Sequence, residues 1–430
     1  MNVLLIGGGG REHALAWKLA QSPRCGRLYC VPGNPGIAAH AELVALPLQP
    51  PFRELIDWAR DHGIGLTVVG PEAPLADGIV DAFVASGLRI FGPTHAAARL
   101  ESSKAFAKDV MLAAGVPTGQ ARVFTELAPA LAYVESLQPP IVVKADGLAA
   151  GKGVTVAATR AEALTAVREN LEAMRFGNSS ASILIEEYLE GREVSVFALC
   201  GGMDSRILGS AEDHKRLLND DRGPNTGGMG AFAPSALLSD EQLAAVNDTI
   251  VQPVMREMAR RGTPFQGILY VGIILTKDGP RVLEFNCRFG DPETQVVLPL
   301  LDADLLDLFD AAVDARLPEV AFGRKDESAL CVVMAAAGYP ESPERGKVIS
   351  GLREASELQG VEVFHAGTRS RANGDIETHG GRVLAATGIG ATLDEARRRA
   401  YAAVGCIEFS GAQFRQDIGL RGINDLAQTQ

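Results

Sequence analysis

The chain has 430 residues, a hydrophobic fraction of 47%, 22% charged residues and a formal net charge of −12. That is ordinary globular composition with room for more than one core, and two or three domains are expected. The acidic balance argues against a general nucleic-acid or anionic-membrane surface, so an anionic substrate must meet a local basic site. The six cysteines (Cys25, Cys30, Cys200, Cys287, Cys331, Cys406) include no Cys-x-x-Cys pair and no zinc spacing. A reducing cytoplasm therefore fits, without structural zinc or a disulfide framework. The first apolar run is short and ends in four glycines, with no basic leader, and no apolar stretch is long enough to span a bilayer.

In chain order, Val3–Ile6 reads as a buried strand, Gly7–Gly10 as a turn, and Arg11-Glu12-His13 as the start of a helix through Leu19. Strand, glycine turn and helix N-terminus can hold a phosphate, or can be a structural turn of an α/β domain. A dinucleotide fingerprint would need glycine where Glu12 stands and an acid after the strand Leu28–Val31, which instead meets Pro32-Gly33-Asn34, so NAD binding is not expected. A helix near Phe52–His62, the strand Leu66–Val69 with Gly70-Pro71-Glu72 at its end, a helix near Asp77–Ser86 and the strand Arg89–Phe91 continue the alternation. Such alternation implies a parallel, Rossmann-like sheet with ligands at the carboxyl ends of its strands.

Ser102 and Ser103 then cap a helix whose first turn carries Lys104 and which ends near Gly115 and Pro117. The first domain boundary is expected just before it. Two strands, Ile141–Lys144 and Val154–Ala157, flank Ala145-Asp146-Gly147-Leu148-Ala149-Ala150-Gly151-Lys152-Gly153. A Walker loop would need four residues between its glycines, a Ser or Thr after the lysine and a following helix; this segment reads as a hairpin flap over phosphates. Glu186-Glu187-Tyr188-Leu189-Glu190-Gly191-Arg192-Glu193 joins the strands Ile183–Ile185 and Val194–Leu199. It is either a solvated acidic turn or the hinge where an adenine lies. Ala211–Gly230 lacks periodicity and reads as a long functional loop.

In RVLEFNCRFGDPETQ (Arg281–Gln295), Glu284 and Asn286 sit two apart on a strand and point the same way, as hard oxygen ligands for Mg²⁺ or Mn²⁺. A polar strand face in water has the same pattern. From Leu330 onward, the strands Leu330–Ala335, Val361–Phe364 and Arg382–Ala386 and a helix near Thr392–Val404, with a Thr392-x-x-Glu395 capping box, suggest an α+β domain packed on the core. Residues Asn424–Gln430 are expected to fray.

The motifs GGREHALAWKL, GPEAPL, KADGLAAGKGV, DHKR, GPNTGGMGA and EFNCRFGDPETQ, with Lys104 and the Glu186–Glu193 segment, resemble the ATP-grasp superfamily and, within it, the phosphoribosylamine–glycine ligase family. The resemblance extends to GGRVLAATGIG and DIGLR and so covers essentially the whole chain. It implies an N-terminal α/β domain (1–102), a two-lobed ATP-grasp domain (103–325) with a flap lobe near 118–193, and a small α+β domain (326–430). The implied activity joins glycine to 5-phosphoribosylamine through glycyl phosphate, consuming ATP with Mg²⁺ or Mn²⁺, in purine synthesis. The implied enzyme is a cytoplasmic monomer with small-molecule partners and neither nucleic acid nor membrane.

By that resemblance Lys104, Lys144, Gly151, Lys152 and Gly153 hold ATP phosphates, Glu186, Glu187 and Leu189 read adenine, and Glu193 holds ribose. Glu284 and Asn286 ligate metal; where many ATP-grasp enzymes add a carboxylate, this chain has Tyr270. Arg288 would hold the glycine carboxylate and developing acyl phosphate and Asp213 the glycine ammonium, beside Lys215. Phosphoribosylamine would meet Gly9, Gly10, Arg11, Glu12, Gly70, Pro71 and Glu72. An acyl phosphate is already activated, so neither His13 nor His214 is needed as a base. Other readings are an ATP-grasp ligase using bicarbonate or formate, and a nucleotide-binding module without turnover.

Overall fold

The computed structural model describes residues 1–148, 153–175 and 177–429. Its N-terminal part is a five-stranded parallel sheet with Glu42–Leu43 and Leu28–Pro32 to one side of Asn2–Gly7, and Ile64–Val69 and Ile90–Phe91 to the other. Val3, Leu4, Leu5 and Ile6 are fully buried, because helices cover both faces of a parallel sheet. Successive strands are added to one side of Asn2–Gly7 and then, from Ile64–Val69 on, to the other, and this topological switch point leaves a crevice beyond the carboxyl ends of the two parallel strands. Gly7–Gly10 and Gly70–Glu72 are the two walls of that crevice. A side chain at Gly8 would meet the Gly33 carbonyl oxygen at 2.6 Å, so the turn can close this tightly on glycine alone.

A small antiparallel sheet of Ala121–Phe124, Ile183–Glu187, Ile141–Ala145 and Val154–Ala157 carries the helices Leu127–Ser136 and Arg160–Leu171. Val143, Ile183, Ile185 and Val167 are fully buried between them. The largest sheet has eight antiparallel strands in the order Gly279–Asn286, Gly267–Thr276, Arg192–Gly201, Asp204–Asp213, Gly230–Ala233, Ser328–Ala335, Arg382–Gly390, Val361–His365. The C-terminal strands thus extend the same sheet that carries Glu284 and Asn286, and this continuity ties the third region to the second more closely than surface packing would.

Several local expectations change. The helix expected near 77–86 is Ile79–Ala85, and a further short helix, Glu72–Ala76, precedes it. Ser102 ends a helix, His95–Ser102, and Ser103 alone caps the next one, Lys104–Ala113, its hydroxyl accepting from the Phe106 N–H. Glu186, Glu187, Arg192 and Glu193 belong to strands, which shortens the connection between them to Tyr188–Gly191. Thr392 accepts from the Glu395 N–H, while the Glu395 carboxylate takes the Ala391 N–H instead of completing a box with Thr392. Residues 424–429 of the segment expected to fray lie in the helix Leu420–Thr429, and Gln430 lies outside the described residues.

The segment 211–230 is not one long loop. Asp213 ends a strand, Arg216–Leu218 pairs with Arg222–Asn225, and Asp220 and Asp221 turn between them at φ of 59° and 51°, a left-handed conformation aspartate tolerates. These strands are too short and too exposed to show period-two patterning. The hairpin is held from the C-terminal region by Arg415, which is 2% exposed. Its Nε and Nη2 donate to the two Asp417 oxygens (2.7 and 2.6 Å), and Nη1 donates to Asp221 (2.8 Å) and to the Arg216 carbonyl (3.1 Å). Arg415 is buried while Asp221 and Asp417 keep access to water, so Arg415→Ala is expected to cost about 2 kcal/mol through lost charge-assisted hydrogen bonds. Urea unfolding would show this as a lower midpoint at an unchanged slope.

Candidate active site

The strand register assembles the site on one face of the large sheet. Residues directly opposite one another in an antiparallel pair share a face. Glu284 is opposite Gly272 and Asn286 is opposite Tyr270; Gly272 and Tyr270 are opposite Ser195 and Phe197. Ser195 also faces Ala211, which puts Asp213, two residues on, on that side together with Glu193. A cavity lies here among Glu193, Ser195, Asp213, Lys215, Tyr270 and Glu284. Gly272 brings no side chain of its own opposite Glu284, and the Glu284 and Tyr270 side chains pack on either side of it.

The lysines come from the opposite wall. Lys144, 7% exposed, donates to Glu186 (2.6 Å) and to the Leu283 carbonyl (3.3 Å), the residue before Glu284. Lys104 Nζ donates to the Gly147 carbonyl (3.1 Å). Burial pulls the Lys104 pKa down, and the nearby Glu284 carboxylate partly restores its charge. Gly153 closes the flap hairpin by accepting from the Ala145 N–H. Gly151 and Lys152 lie outside the described residues.

Glu186 has different partners from those expected. It is 6% exposed, and its two oxygens are held by Lys144 and by Lys108 (3.0 Å), so it anchors both lysines and its carboxylate is already spoken for. Burial opposes its charge, but the two lysines outweigh burial and keep its carboxyl below the usual range. Glu187 points to the other face of its strand, where it accepts from the Gln120 N–H (2.9 Å). Leu189 is half-buried in the connection beside Gly119. Glu193 pairs with Lys215, and that ammonium holds its pKa down.

Asp213 has an oxygen, Oδ1, that is out of contact with solvent and has no hydrogen-bond partner among the described residues. Burial pushes its pKa well up, and the Glu293 carboxylate pushes it further. Glu293 itself is 4% exposed and accepts from Ser195 Oγ (3.1 Å), which also bonds Tyr270 (2.8 Å). Two carboxylates with an unmet oxygen form a place that calls for a cation.

At the crevice of the parallel sheet, Glu12 turns inward rather than toward a ligand. It is 2% exposed, takes the Gly9 N–H (2.7 Å) and Arg11 Nε (2.6 Å), and so caps its own helix. Gly70 lies against it: a Cβ there would meet Glu12 Oε1 at 2.2 Å. Arg11 donates to the Phe289 carbonyl (3.1 Å). Gly9 and Gly10 face Asp291 and Gln295, and Pro71 leads into the helix that begins at Glu72. Arg288 has its Nη2 on Glu101 (2.9 Å), its Nε beside Glu72 (3.3 Å) and its Nη1 on the Phe289 carbonyl (3.1 Å). The C-terminal region closes this side through Arg382, whose Nη1 donates to the Gly227 and Asp291 carbonyls (2.7 and 2.6 Å).

Sequence reasoning missed Lys108, Glu101, Glu293 and Arg382 as members of the site. Lys108 carried a local signal, standing one helical turn after Lys104 on the same helix. Glu101 and Arg382 carried none, because their partners are distant in the chain. Neither histidine is poised as a base. The His13 Nδ1 accepts from the His365 N–H (2.7 Å), and His13 and His214 are both buried with lowered pKa values. Among the described residues no group of three or more His, Cys, Asp or Glu side chains converges on a metal position, and no helix is long and apolar enough to cross a membrane. Two hard oxygens on one strand face nevertheless suit Mg²⁺ or Mn²⁺, which take one or two protein ligands and fill the shell with phosphate oxygens and water.

A lysine-bearing small sheet facing a carboxylate-and-amide strand of a larger antiparallel sheet, beside a Rossmann-like domain, defines an ATP-grasp ligase. The phosphoribosylglycinamide synthetase models match the N domain at residues 1–101, the ATP-grasp (A) domain at 102–294 and the C domain at 329–421. The chain belongs to the phosphoribosylglycinamide synthetase family. It is 50% identical over 423 residues to a phosphoribosylamine–glycine ligase of Brucella melitensis biotype 1, covering 98% of each chain. It is 47% identical over 425 residues to one of Vibrio parahaemolyticus, covering 98% of this chain and 99% of that one. A solved phosphoribosylamine–glycine ligase from Thermotoga maritima superposes with a TM-score of 0.82 at 30% identity, over 97% of this chain and all of that one. The biotin carboxylase domain of a Hydrogenobacter thermophilus 2-oxoglutarate carboxylase, solved with MgADP and bicarbonate, shares the fold at a TM-score of 0.71 and 17% identity, over 96% and 91% of the two chains.

Proposed function

We propose that this chain joins glycine to 5-phosphoribosylamine, converting ATP to ADP and phosphate and forming glycinamide ribonucleotide. In the first step a glycine carboxylate oxygen bonds the γ-phosphorus of ATP and the bond to the ADP oxygen breaks. In the second, the ribosylamine nitrogen attacks the carbonyl of glycyl phosphate, phosphate leaves, and the nitrogen gives up one proton. The observation that carries the reading is the meeting of opposite charges on one sheet face. Lys104 lies near the Glu284 carboxylate and Lys144 donates to the Leu283 carbonyl beside it, while Asp213 lines the same cavity as Glu284 and has Glu293 close to it.

Each reactant then has a chemically matched place. Lys104, Lys144 and the glycine flap face the triphosphate, and backbone groups at Tyr188–Gly191 with Glu193 face the nucleoside. Mg²⁺ or Mn²⁺ held by Glu284 and Asn286 would offset phosphate charge. Asp213 receives the glycine ammonium, whose arrival meets its unpaired oxygen. Arg288 directs its remaining donors at the carboxylate that becomes the acyl phosphate. Glu72, a third exposed beside Arg288 and Arg11, faces the ribosylamine in the crevice of the parallel sheet.

This reading includes a monomer in the cytoplasm; all six cysteine thiols are free, four of them buried. Light scattering on the purified protein checks the monomer. Asp213→Asn keeps the shape and removes the charge. It is expected to raise KM for glycine roughly 10- to 100-fold with KM for ATP unchanged, the size of a lost hydrogen bond to a charged group. Steady-state kinetics with glycine varied checks it. The reaction itself is tested by ADP release with Mg-ATP alone, with glycine, and with glycine plus phosphoribosylamine made in situ from ribose 5-phosphate and ammonia. Release that needs both co-substrates, with glycinamide ribonucleotide seen by mass spectrometry, is expected. Turnover driven by bicarbonate or formate instead would assign another ligase, and ATP binding without ADP would leave only a binding module.

A further inference from the structure

Glu101 ends the helix His95–Ser102, which leads out of the N-terminal region, and it stands 186 residues from anything it holds. One carboxylate does two things there. Its Oε2 accepts the Cys287 N–H at 2.7 Å, and its Oε1 lies 2.9 Å from Arg288 Nη2. The first contact sets the backbone where the strand Gly279–Asn286 ends, directly after the metal-ligand pair. The second fixes the guanidinium of the next residue. Glu101 is 8% exposed, and burial works against its charge while Arg288 favours it.

Arg288 has five N–H donors in one plane. Nη2 is tied to Glu101, Nη1 to the Phe289 carbonyl, and Nε lies 3.3 Å from Glu72 without a hydrogen bond. The plane is therefore held at two corners, and the free donors can be presented in one orientation. Glu72 is 33% exposed and loosely placed, whereas the Glu101 contact is short and buried. Of the two acids beside Arg288, Glu101 is the one built to hold and Glu72 the one able to yield to a substrate. A buried carboxylate that satisfies one backbone N–H and one guanidinium needs its charge only for the guanidinium, since a neutral amide could take the N–H.

We propose that Glu101 is a positioning residue for the reaction, aiming the Arg288 guanidinium at the carboxylate that becomes glycyl phosphate and at the acyl phosphate itself. The proposal rests on the role given to Arg288 above. It makes the last helix of the N-terminal region part of the catalytic apparatus of the next region, so the crevice that admits the ribosylamine and the cation over the acyl phosphate are aligned through one ion pair. Gln at this position keeps an acceptor for the Cys287 N–H and removes the charge that orients Arg288.

The test compares Glu101→Gln, Arg288→Met and the double variant with the wild type, measuring kcat, KM for each substrate and product formed per ADP. Thermal melting and ATP binding check folding. Glu101→Gln is expected to lower kcat/KM for glycine about 30-fold, the worth of one charge-assisted hydrogen bond, with KM for ATP unchanged and less product per ADP. The double variant should then be no worse than Arg288→Met, since both changes remove the same oriented cation. Multiplying effects in the double variant, or wild-type kinetics in Glu101→Gln, would overturn the proposal. Wild-type kinetics in Arg288→Met would overturn it together with the role of Arg288, whereas a dead Arg288→Met beside an unaffected Glu101→Gln removes Glu101 alone. Should Glu101→Gln fail to fold, Glu101→Asp keeps the charge on a shorter arm. An intermediate loss in kcat/KM for glycine at unchanged KM for ATP is then expected, and no loss overturns the proposal.

Discussion

Lys144→Met is expected to lower ligation about a thousand-fold while the protein still folds, the range found when a preorganised charge is removed from a transition state. Lys144 is the central member of a chain running from Lys108 through Glu186 to Lys144 and on to the Leu283 carbonyl. Methionine has nearly the same length and apolar volume, so packing is retained. Glu186 keeps one cation, Lys108, which limits the damage to stability. The loss should therefore fall on phosphoryl transfer, where negative charge accumulates on three oxygens. Single-turnover formation of ADP, measured beside ATP affinity and thermal melting, checks it. A variant with turnover within tenfold of wild type would mean that another cation serves the transferred phosphoryl group.

Glu284→Gln should be comparably severe for a different reason. Glu284 is intermediate in exposure, opposite a glycine, and it lies near Lys104 and Lys215, so its carboxylate is a negative partner of those lysines as well as the proposed metal ligand. The amide keeps an oxygen but loses the charge, and a hard divalent cation bound by Asn286 and a neutral amide is held weakly. We expect kcat to fall by about a hundredfold or more at ordinary Mg²⁺, with partial recovery as Mg²⁺ or Mn²⁺ is raised. Titrating activity against metal concentration checks this. A loss that no metal concentration relieves would put the role of Glu284 in the charge balance of the lysines instead of in metal binding.

The local parts of the site were legible because their geometry is a property of a few successive residues. A strand alternates its faces, so Glu284 and Asn286 had to share a side wherever the strand was placed. A parallel α/β alternation has to leave a crevice at its carboxyl ends, which located Gly7–Gly10 and Gly70–Glu72. Glu186 and Glu12 show where that reasoning stops. Each stands in a segment that does contribute to the site, and each is turned inward, one between two lysines and the other onto its own helix. A carboxylate is read in a sequence as an available charge, and whether it is available depends on which cations the fold brings to it.

The alternating pattern and its motifs thus point to the class of chemistry through a family resemblance, and they put Glu284 and Asn286 on one strand face and Lys104 at a helix start, which follow from periodicity or from residues within one turn of each other. Which strands share a sheet, and which charges share a pocket, are set by contacts between distant segments. The C-terminal strand Ser328–Ala335 continues the sheet that holds Glu284, Arg415 reaches back to the Asp221 hairpin, and Glu101 meets Arg288. The physical reason is that a buried ion pair constrains two residues only through space. Its attraction depends on distance and burial, neither of which leaves a mark in the spacing of residues along the chain.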